Sequence, residues 1–274
     1  MKIRSNPHTH STFVDGKNTP EEMAAQAYKL GFVSLGFSEH AEQLIDGTFG
    51  LTPETEAQYI ETINRLKSVY KGSMRIWRGL ERDRLSSADK GKYEYILASN
   101  HYLVAANGDW AAVDGDPDKL EKWVQTHAGG SWLSAAKKNF SEAAKYVKDI
   151  CPDIIAHFDL IAKGNRKRHW FDESDRAYLK AGYDAMDEMI TSCRVLEVNT
   201  GGIARSSQPC PYPTLQLLRY WRDLGGEVIP SSDCHRAHQL DAWFDECHEY
   251  LKQAGYTHML SLGTGDSLFE EIPL

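Results

Sequence analysis

The stretch Phe32-Val33-Ser34-Leu35-Gly36-Phe37-Ser38-Glu39-His40 holds the plan of the chain in one unit. Its first six residues are the short, mostly apolar run of a buried strand. Gly31 before them is a helix stop, and a histidine closes the run. Upstream, Thr19-Pro20-Glu21-Glu22 reads as a helix start: Thr19 caps, Pro20 suits the first helical position and Glu22 completes a capping box. Met23, Ala27 and Leu30 share the apolar face of that helix. Downstream, Thr52-Pro53-Glu54 opens a second helix, with Ile60, Ile63 and Leu66 inward and Gly72 beyond its end.

The same alternation repeats along the chain. Lys2-Ile3-Arg4-Ser5 leads to His8-Thr9-His10, Met74-Arg75-Ile76-Trp77 to Glu81, and Tyr95-Ile96-Leu97-Ala98 to His101. Asp153-Ile154-Ile155-Ala156 leads to His157, Arg194-Val195-Leu196-Glu197-Val198 to Asn199, and Glu227-Val228-Ile229-Pro230 to Asp233 and His235. A last run, Met259-Leu260-Ser261-Leu262, follows the same plan and precedes Gly263. Strands alternating with helices imply a parallel sheet. About seven such units in one chain predict an α/β barrel, with an open doubly wound sheet as the alternative. No stretch rich in Pro, Gly or Ser interrupts the pattern, so residues 1–274 read as a single domain. The longest insertion, about residues 107–131, with its Gly, Asp and Trp residues, reads as a substrate-facing loop.

Nearly every predicted strand ends in a residue type that binds metals, and barrel chemistry sits at the carboxyl ends of strands. Six of the eleven histidines fall at these ends: His8, His10, His40, His101, His157 and His235. In His8-Thr9-His10, alternation turns both imidazoles to one side. Glu81 and Asp233 stand at two further ends, and Asp15 follows the His-Thr-His segment in a loop. Imidazole with carboxylate suits zinc, manganese and iron. His127, His169, His238, His248 and His258 read as surface or supporting residues.

The net charge of −8 argues against a broad nucleic-acid surface, which needs clustered Lys and Arg. Five scattered cysteines without a CxxC pair fit a reducing cytoplasm rather than a disulfide framework. Cys234, between Asp233 and His235, reads as packing. No segment has the length and apolar content of a transmembrane helix, and the early residues do not read as a secretory signal.

Taken in order, PHTHSTFVDGKNTPEEM (7–23), GFSEHAE (36–42), RGLERD (78–83), ASNHYL (98–103), AHFDLI (156–161), LEVNTGGIAR (196–205) and SSDCH (231–235) resemble the PHP (polymerase and histidinol phosphatase) superfamily of metal-dependent phosphoesterases over nearly the whole chain. Within it the chain is most similar to the histidinol-phosphate phosphatase branch. Asp15 stands where many relatives have histidine, and PYPTLQLLRYWRDLGG (211–226) is typical of that branch. The resemblance implies a distorted (β/α)7 barrel with two to three divalent ions (Zn, Mn or Fe). His8, His10, Glu81 and Asp233 would hold the first ion. Glu81, His101 and His157 would hold the second, with Glu81 bridging, and Asp15, His40 and His235 the third.

The implied reaction is hydrolysis of a phosphomonoester, L-histidinol phosphate, by in-line attack of a metal-bridging hydroxide. Three divalent ions less three carboxylates leave three positive charges, which one hydroxide and one phosphate dianion would neutralise; the second pKa of a monoester is about 6. Arg205, in the loop that begins at Asn199, is the candidate phosphate clamp, with Lys163, Arg166 and Arg168 as competitors. A metal-held water, Asp233 or His235 could assist protonation of the leaving alkoxide. Asp109, Trp110 and Asp114 are the candidates for holding the cationic histidinol group. The alternatives are a hydrolase of the same superfamily acting on another small phosphoester, whether phosphatase or phosphodiesterase, and a metal-binding protein without turnover.

Overall fold

In the computed structural model, which describes residues 2–47, 49–206 and 208–274, the sheet is parallel throughout. Its strands are β1 (Ser5–Asn6), β2 (Ser34–Phe37), β3 (Arg75–Asp83) and β4 (Tyr95–Ser99) in the first half of the chain. Strands β5 (Tyr102–Val104) and β6 (Trp110–Ala112) form a separate antiparallel hairpin. Strands β7 (Ile154–Ile155), β8 (Val195–Asn199) and β9 (Glu227–Ser231) complete the sheet, in the order β1-β2-β3-β4-β7-β8-β9.

The two outer strands meet, which decides for the barrel over the open sheet. Beyond β1 and β9, Thr9 bridges Cys234 in parallel register: His10 N donates to Cys234 O at 2.9 Å and Cys234 N to His8 O at 3.1 Å. Below that bridge, Asn6 Nδ2 donates to Ser232 Oγ at 2.7 Å, and Asn6 Oδ1 accepts from Ser232 N at 3.2 Å. The His-Thr-His segment is thus one side of the closing seam.

The apolar run at 259–262 departs from the expectation. It forms β10 (His258–Leu262), which pairs antiparallel with β11 (Phe269–Pro273) outside the barrel sheet. With β1 and β9 already joined, this hairpin seals the amino-terminal end: Leu262 N donates to Ser5 Oγ, Ser34 Oγ to Leu262 O and Trp77 Nε1 to Gly263 O. Leu262 packs there with Trp77, Tyr95, Leu97, Ile154, Val195 and Ile229 as an apolar floor. A Cβ on Gly36 or Gly79 would overlap the Tyr95 side chain, so these glycines make room for an aromatic ring inside a small barrel. The floor leaves the carboxyl ends as the open face.

The helices start as their sequences dictate. Thr19 and Glu22 form the capping box of α1 (Pro20–Lys29), and Gly31 follows it at φ +79°. Thr52 and Thr55 cap α2 (Pro53–Val69), whose buried face is Tyr59, Ile63 and Leu66; Ile60, expected inward, is only partly buried. The 107–131 insertion is not a loop but the β5–β6 turn followed by α3 (Pro117–His127). The remaining helices are α4 (Trp132–Ile150), α5 (Ala162–Arg168), α6 (Arg176–Met189), α7 (Gly201–Ser206), α8 (Leu215–Asp223) and α9 (Phe244–Ala254).

Candidate metal centre

Glu81, on β3, stands at the middle of the open face with no exposed surface. Its Oε1 lies 2.9 Å from His157 Nε2 and 3.4 Å from His101 Nε2. Its Oε2 lies 2.8 Å from His40 Nδ1, 3.2 Å from His8 Nε2 and 3.5 Å from His10 Nε2. Five imidazoles from four strand ends, His8 and His10 from one and His40, His101 and His157 from one each, therefore surround one carboxylate. Asp233 Oδ1 closes one side, 3.3 Å from His10 Nε2 and 3.7 Å from His8 Nε2. On the other side Asp15 Oδ2 lies 3.0 Å from His235 Nε2, and Asp15 Oδ1 lies 3.9 Å from His40 Nε2. Asp233 reaches its place with a left-handed backbone, φ +46°, just past β9. Strand β9 is thus interrupted at Asp233, and Cys234 resumes the pairing only as the single bridge to Thr9. Cys234 is nonetheless buried, facing away with its thiol toward Arg236 O.

The donor atoms fall into overlapping groups spanning no more than 4.8 Å: His8, His10 and Asp233; His8, Glu81 and His157; His40, Glu81 and His101; and His10, Asp15, His40 and His235. His8 Nε2, both His10 nitrogens, Glu81 Oε2 and Asp15 Oδ1 are buried without a hydrogen-bond partner. Leaving one buried polar atom unpaired costs about 1–3 kcal/mol, so a whole set converging at one point calls for a shared partner. Neutral imidazoles and carboxylates are donors that divalent cations accept, so the residues fit such ions.

The electrostatics agree. Burial, aided by His40 and His235, pushes His10 down to about 3, which keeps it a neutral ligand. Burial opposes charge on His8 as well, but Glu197, Asp233 and Glu81 outweigh it and raise that ring. His101 is likewise lifted to about 10, because Glu81 and Asp83 overcome its burial. Burial would raise Glu81, yet the surrounding imidazoles hold it well below the usual carboxylate range.

Three acids behind the histidines were not singled out by sequence reasoning. Glu197 Oε1 lies 2.5 Å from His8 Nδ1. Asp83 Oδ2 lies 3.2 Å from His101 Nδ1 and accepts from His101 N. Glu39 Oε1 accepts from Ser11 N and Ser11 Oγ beneath His10. The signal was an acid inside an otherwise apolar strand run, as in Val195-Leu196-Glu197-Val198, where alternation cannot send it to solvent.

A cavity of about 660 Å³ opens over the cage, lined beyond it by Lys17, Asp46, Phe49, Tyr102, Asp114, Lys163, Arg205, Tyr212, Arg236 and His238. Arg205 Nη2 donates to Asp233 Oδ2 at 2.8 Å, and Lys163 Nζ to Asp114 Oδ2 at 3.2 Å. Several candidates for substrate contact lie elsewhere. Asp109 sits at the exposed β5–β6 turn, 3.0 Å from His127 Nε2, and Trp110 is 41% exposed against Tyr102. Neither lines the cavity, and the turn before them has Gly108 at φ +91°. Of that insertion only Ala112, Asp114 and Gly115 face the cavity. Arg166 is held beneath Tyr212 by Glu173 and Cys210 O, and Arg168 pairs outside with Asp118 and Glu121. Asn199 donates to Glu197 and Asp233 below the cavity wall, so it supports the cage rather than lining the cavity. His238, read as a surface or supporting residue, is exposed at the cavity rim.

Fold and donor set together define an α/β-barrel protein built around a histidine–carboxylate centre. The PHP domain matches residues 6–201, and the chain belongs to that family. A histidinol-phosphatase of Lactococcus lactis subsp. lactis (strain IL1403) is 26% identical over 275 aligned residues, covering 94% of this chain and 93% of the relative. The DNA polymerase/3'-5' exonuclease PolX of Bacillus subtilis (strain 168) is 29% identical over 105 residues, 38% of this chain and 18% of that protein. The structure of a candidate histidinol phosphatase from Listeria monocytogenes superposes with a TM-score of 0.73 at 17% identity, over 88% of this chain and 99% of the other. That of the Lactococcus lactis histidinol phosphate phosphatase, complexed with zinc, L-histidinol and phosphate, superposes with a TM-score of 0.64 at 19% identity, over 96% and 97% of the two chains. Among the described residues, no helix is long and apolar enough to cross a membrane.

Proposed function

We propose that the protein is a metal-dependent phosphomonoesterase that hydrolyses L-histidinol phosphate to L-histidinol and phosphate. The observation that carries this reading is the convergence of Glu81, five imidazoles, Asp15, Asp233 and His235 at the floor of one cavity. The similarity to a histidinol-phosphatase along nearly the full length of both chains supports the substrate.

His8, His10, Glu81 and Asp233 would hold one divalent ion, Glu81, His101 and His157 a second, and Asp15, His40 and His235 a third. Bound there, such ions supply Lewis-acid activation of water and neutralise the phosphoryl group. Zinc, manganese and iron all suit these donors. The protein's own groups do the rest. Glu81, held ionised, keeps the imidazoles gathered. Arg205, fixed by Asp233, turns a guanidinium toward the phosphoryl oxygens. Lys163, Lys17 and Arg236, which line the same cavity, add positive charge. The proton that the departing alkoxide needs would be the one released by the attacking water, passed on through Asp233 or His235 at the cavity edge. Asp114 faces the cavity with its carboxyl lowered to about 2, because Lys163 and His101 outweigh its burial. It is the acid best placed for a cationic leaving group, with Tyr102 and Phe49 as aromatic walls.

The test is turnover of metal-replete protein on histidinol phosphate, other small monoesters and bis-p-nitrophenyl phosphate. Preference for histidinol phosphate is expected. Preference for the diester, or no hydrolysis of any of them, contradicts the reading.

A further inference from the structure

We propose that Glu197 is the positioning residue of the cage: its carboxylate sets the His8 ring with Nδ1–H toward Glu197 and Nε2 toward Glu81 and Asp233. This inference rests on the reading of the cage given above.

Glu197 lies inside the barrel on β8 with no exposed surface. Its Oε1 lies 2.5 Å from His8 Nδ1 and accepts from Ser231 Oγ at 2.6 Å. Its Oε2 accepts from His157 N at 2.7 Å and from Asn199 Nδ2 at 3.1 Å. An ionised carboxylate has no hydrogen to give, so every partner must donate. The amide of His157, the Asn199 NH2 and the Ser231 hydroxyl can do so, and the His8 contact therefore requires a hydrogen on Nδ1. In the neutral ring this leaves the lone pair on Nε2, which faces Glu81 Oε2 at 3.2 Å and Asp233 Oδ1 at 3.7 Å. Two carboxylates facing Nε2 call for positive charge there, a proton in the metal-free protein and a divalent cation in the loaded one, while Nδ1–H stays on Glu197 in both.

The same carboxylate reaches two more donors of the cage. Its bond to the His157 amide fixes the backbone from which that ring projects. Asn199 accepts from Gly201 N through Oδ1 and spans Glu197 Oε2 and Asp233 Oδ2 with its amide group, the second contact at 3.2 Å. One residue of β8 thus aligns groups from the ends of β1, β7 and β9. Outer partners of this kind are commonly worth 10–100-fold in metal affinity.

Two measurements test the assignment. In the chelator-stripped wild-type protein, ring 1H–15N correlation spectra, with His8→Gln identifying the signal, are expected to show a downfield proton on His8 Nδ1. A ring without that proton overturns the proposal, whether or not metal binds. In Glu197→Gln, the amide must point an NH2 at donors. Its zinc affinity, measured by competition with a chromophoric chelator, is expected to fall about 10–100-fold relative to wild type. A purely structural role would lower the metal-free melting temperature and leave zinc affinity unchanged, which also overturns it. Should Glu197→Gln not fold, the wild-type ring spectrum decides alone. Failure of the wild-type protein to bind zinc would instead strike the cage reading and leave the Nδ1 result to judge Glu197.

Discussion

At the scale of single residues, Glu81 gathers the site. Replacing it with Gln keeps the volume but removes the charge among five imidazoles. Glu81→Gln is expected to lower kcat/KM at least about 100-fold, or about 2.7 kcal/mol, and to reduce bound metal by elemental analysis. Protonation gives a second prediction. His8 and His40 are raised by their acidic neighbours and His101 to about 10, whereas an unfolded histidine titrates near 6.5. A raised pKa adds stability that is complete below the unfolded value and is lost as pH climbs through the folded one. In excess chelator, the melting temperature should therefore fall between about pH 6.5 and about pH 10. Metal must displace those protons, so its affinity should rise over the same range, and the gap between metal-replete and metal-free melting temperatures should widen. A gap that narrows contradicts the assignment of these rings. Asp114→Asn is expected to raise KM for histidinol phosphate about 10-fold, the effect of about 1.4 kcal/mol, with little change for a monoester whose leaving group is neutral. Equal effects on both would remove Asp114 from substrate choice.

At the scale of elements, what the sequence made legible and what it hid have the same physical origin. Strand ends were visible because a buried apolar run ending in His or Asp breaks its own pattern. Helix starts were visible because Thr19-Pro20 and Thr52-Pro53 carry capping chemistry that acts locally. Glu197 was hidden because a single acid within Val195–Val198 does not disturb the strand signal, and its four partners lie past the ends of β1 and β7 and on β8 and β9. Asp109 and Trp110 were misplaced because a stretch rich in Gly, Asp and Trp resembles a binding loop. Its Asn107-Gly108 pair is a hairpin-turn signal, and neither Asp109 nor Trp110 lines the cavity. The β10–β11 hairpin was read as a further strand because periodicity does not tell which partner a strand finds. The floor it builds predicts intolerance at Gly79, where a methyl group would meet the Tyr95 ring. Gly79→Ala should cost about 1–3 kcal/mol in denaturant unfolding. A cost under about 0.5 kcal/mol would mean the ring can move aside.

At the scale of the whole molecule, barrel closure makes the site. The Thr9–Cys234 bridge joins the first and last strands and in the same step brings His8 and His10 against Asp233 and His235, more than 200 positions away in sequence. The hairpin closes the opposite end, so one mouth remains and the cage forms its floor. The measurement that tests this account most directly is an anomalous-difference map from crystals grown without chelator, with data collected above the absorption edge of the metal found in the sample. The expected result is two or three peaks enclosed by His8, His10, Asp15, His40, Glu81, His101, His157, Asp233 and His235. A map without peaks among these side chains, from protein that hydrolyses histidinol phosphate, would contradict it.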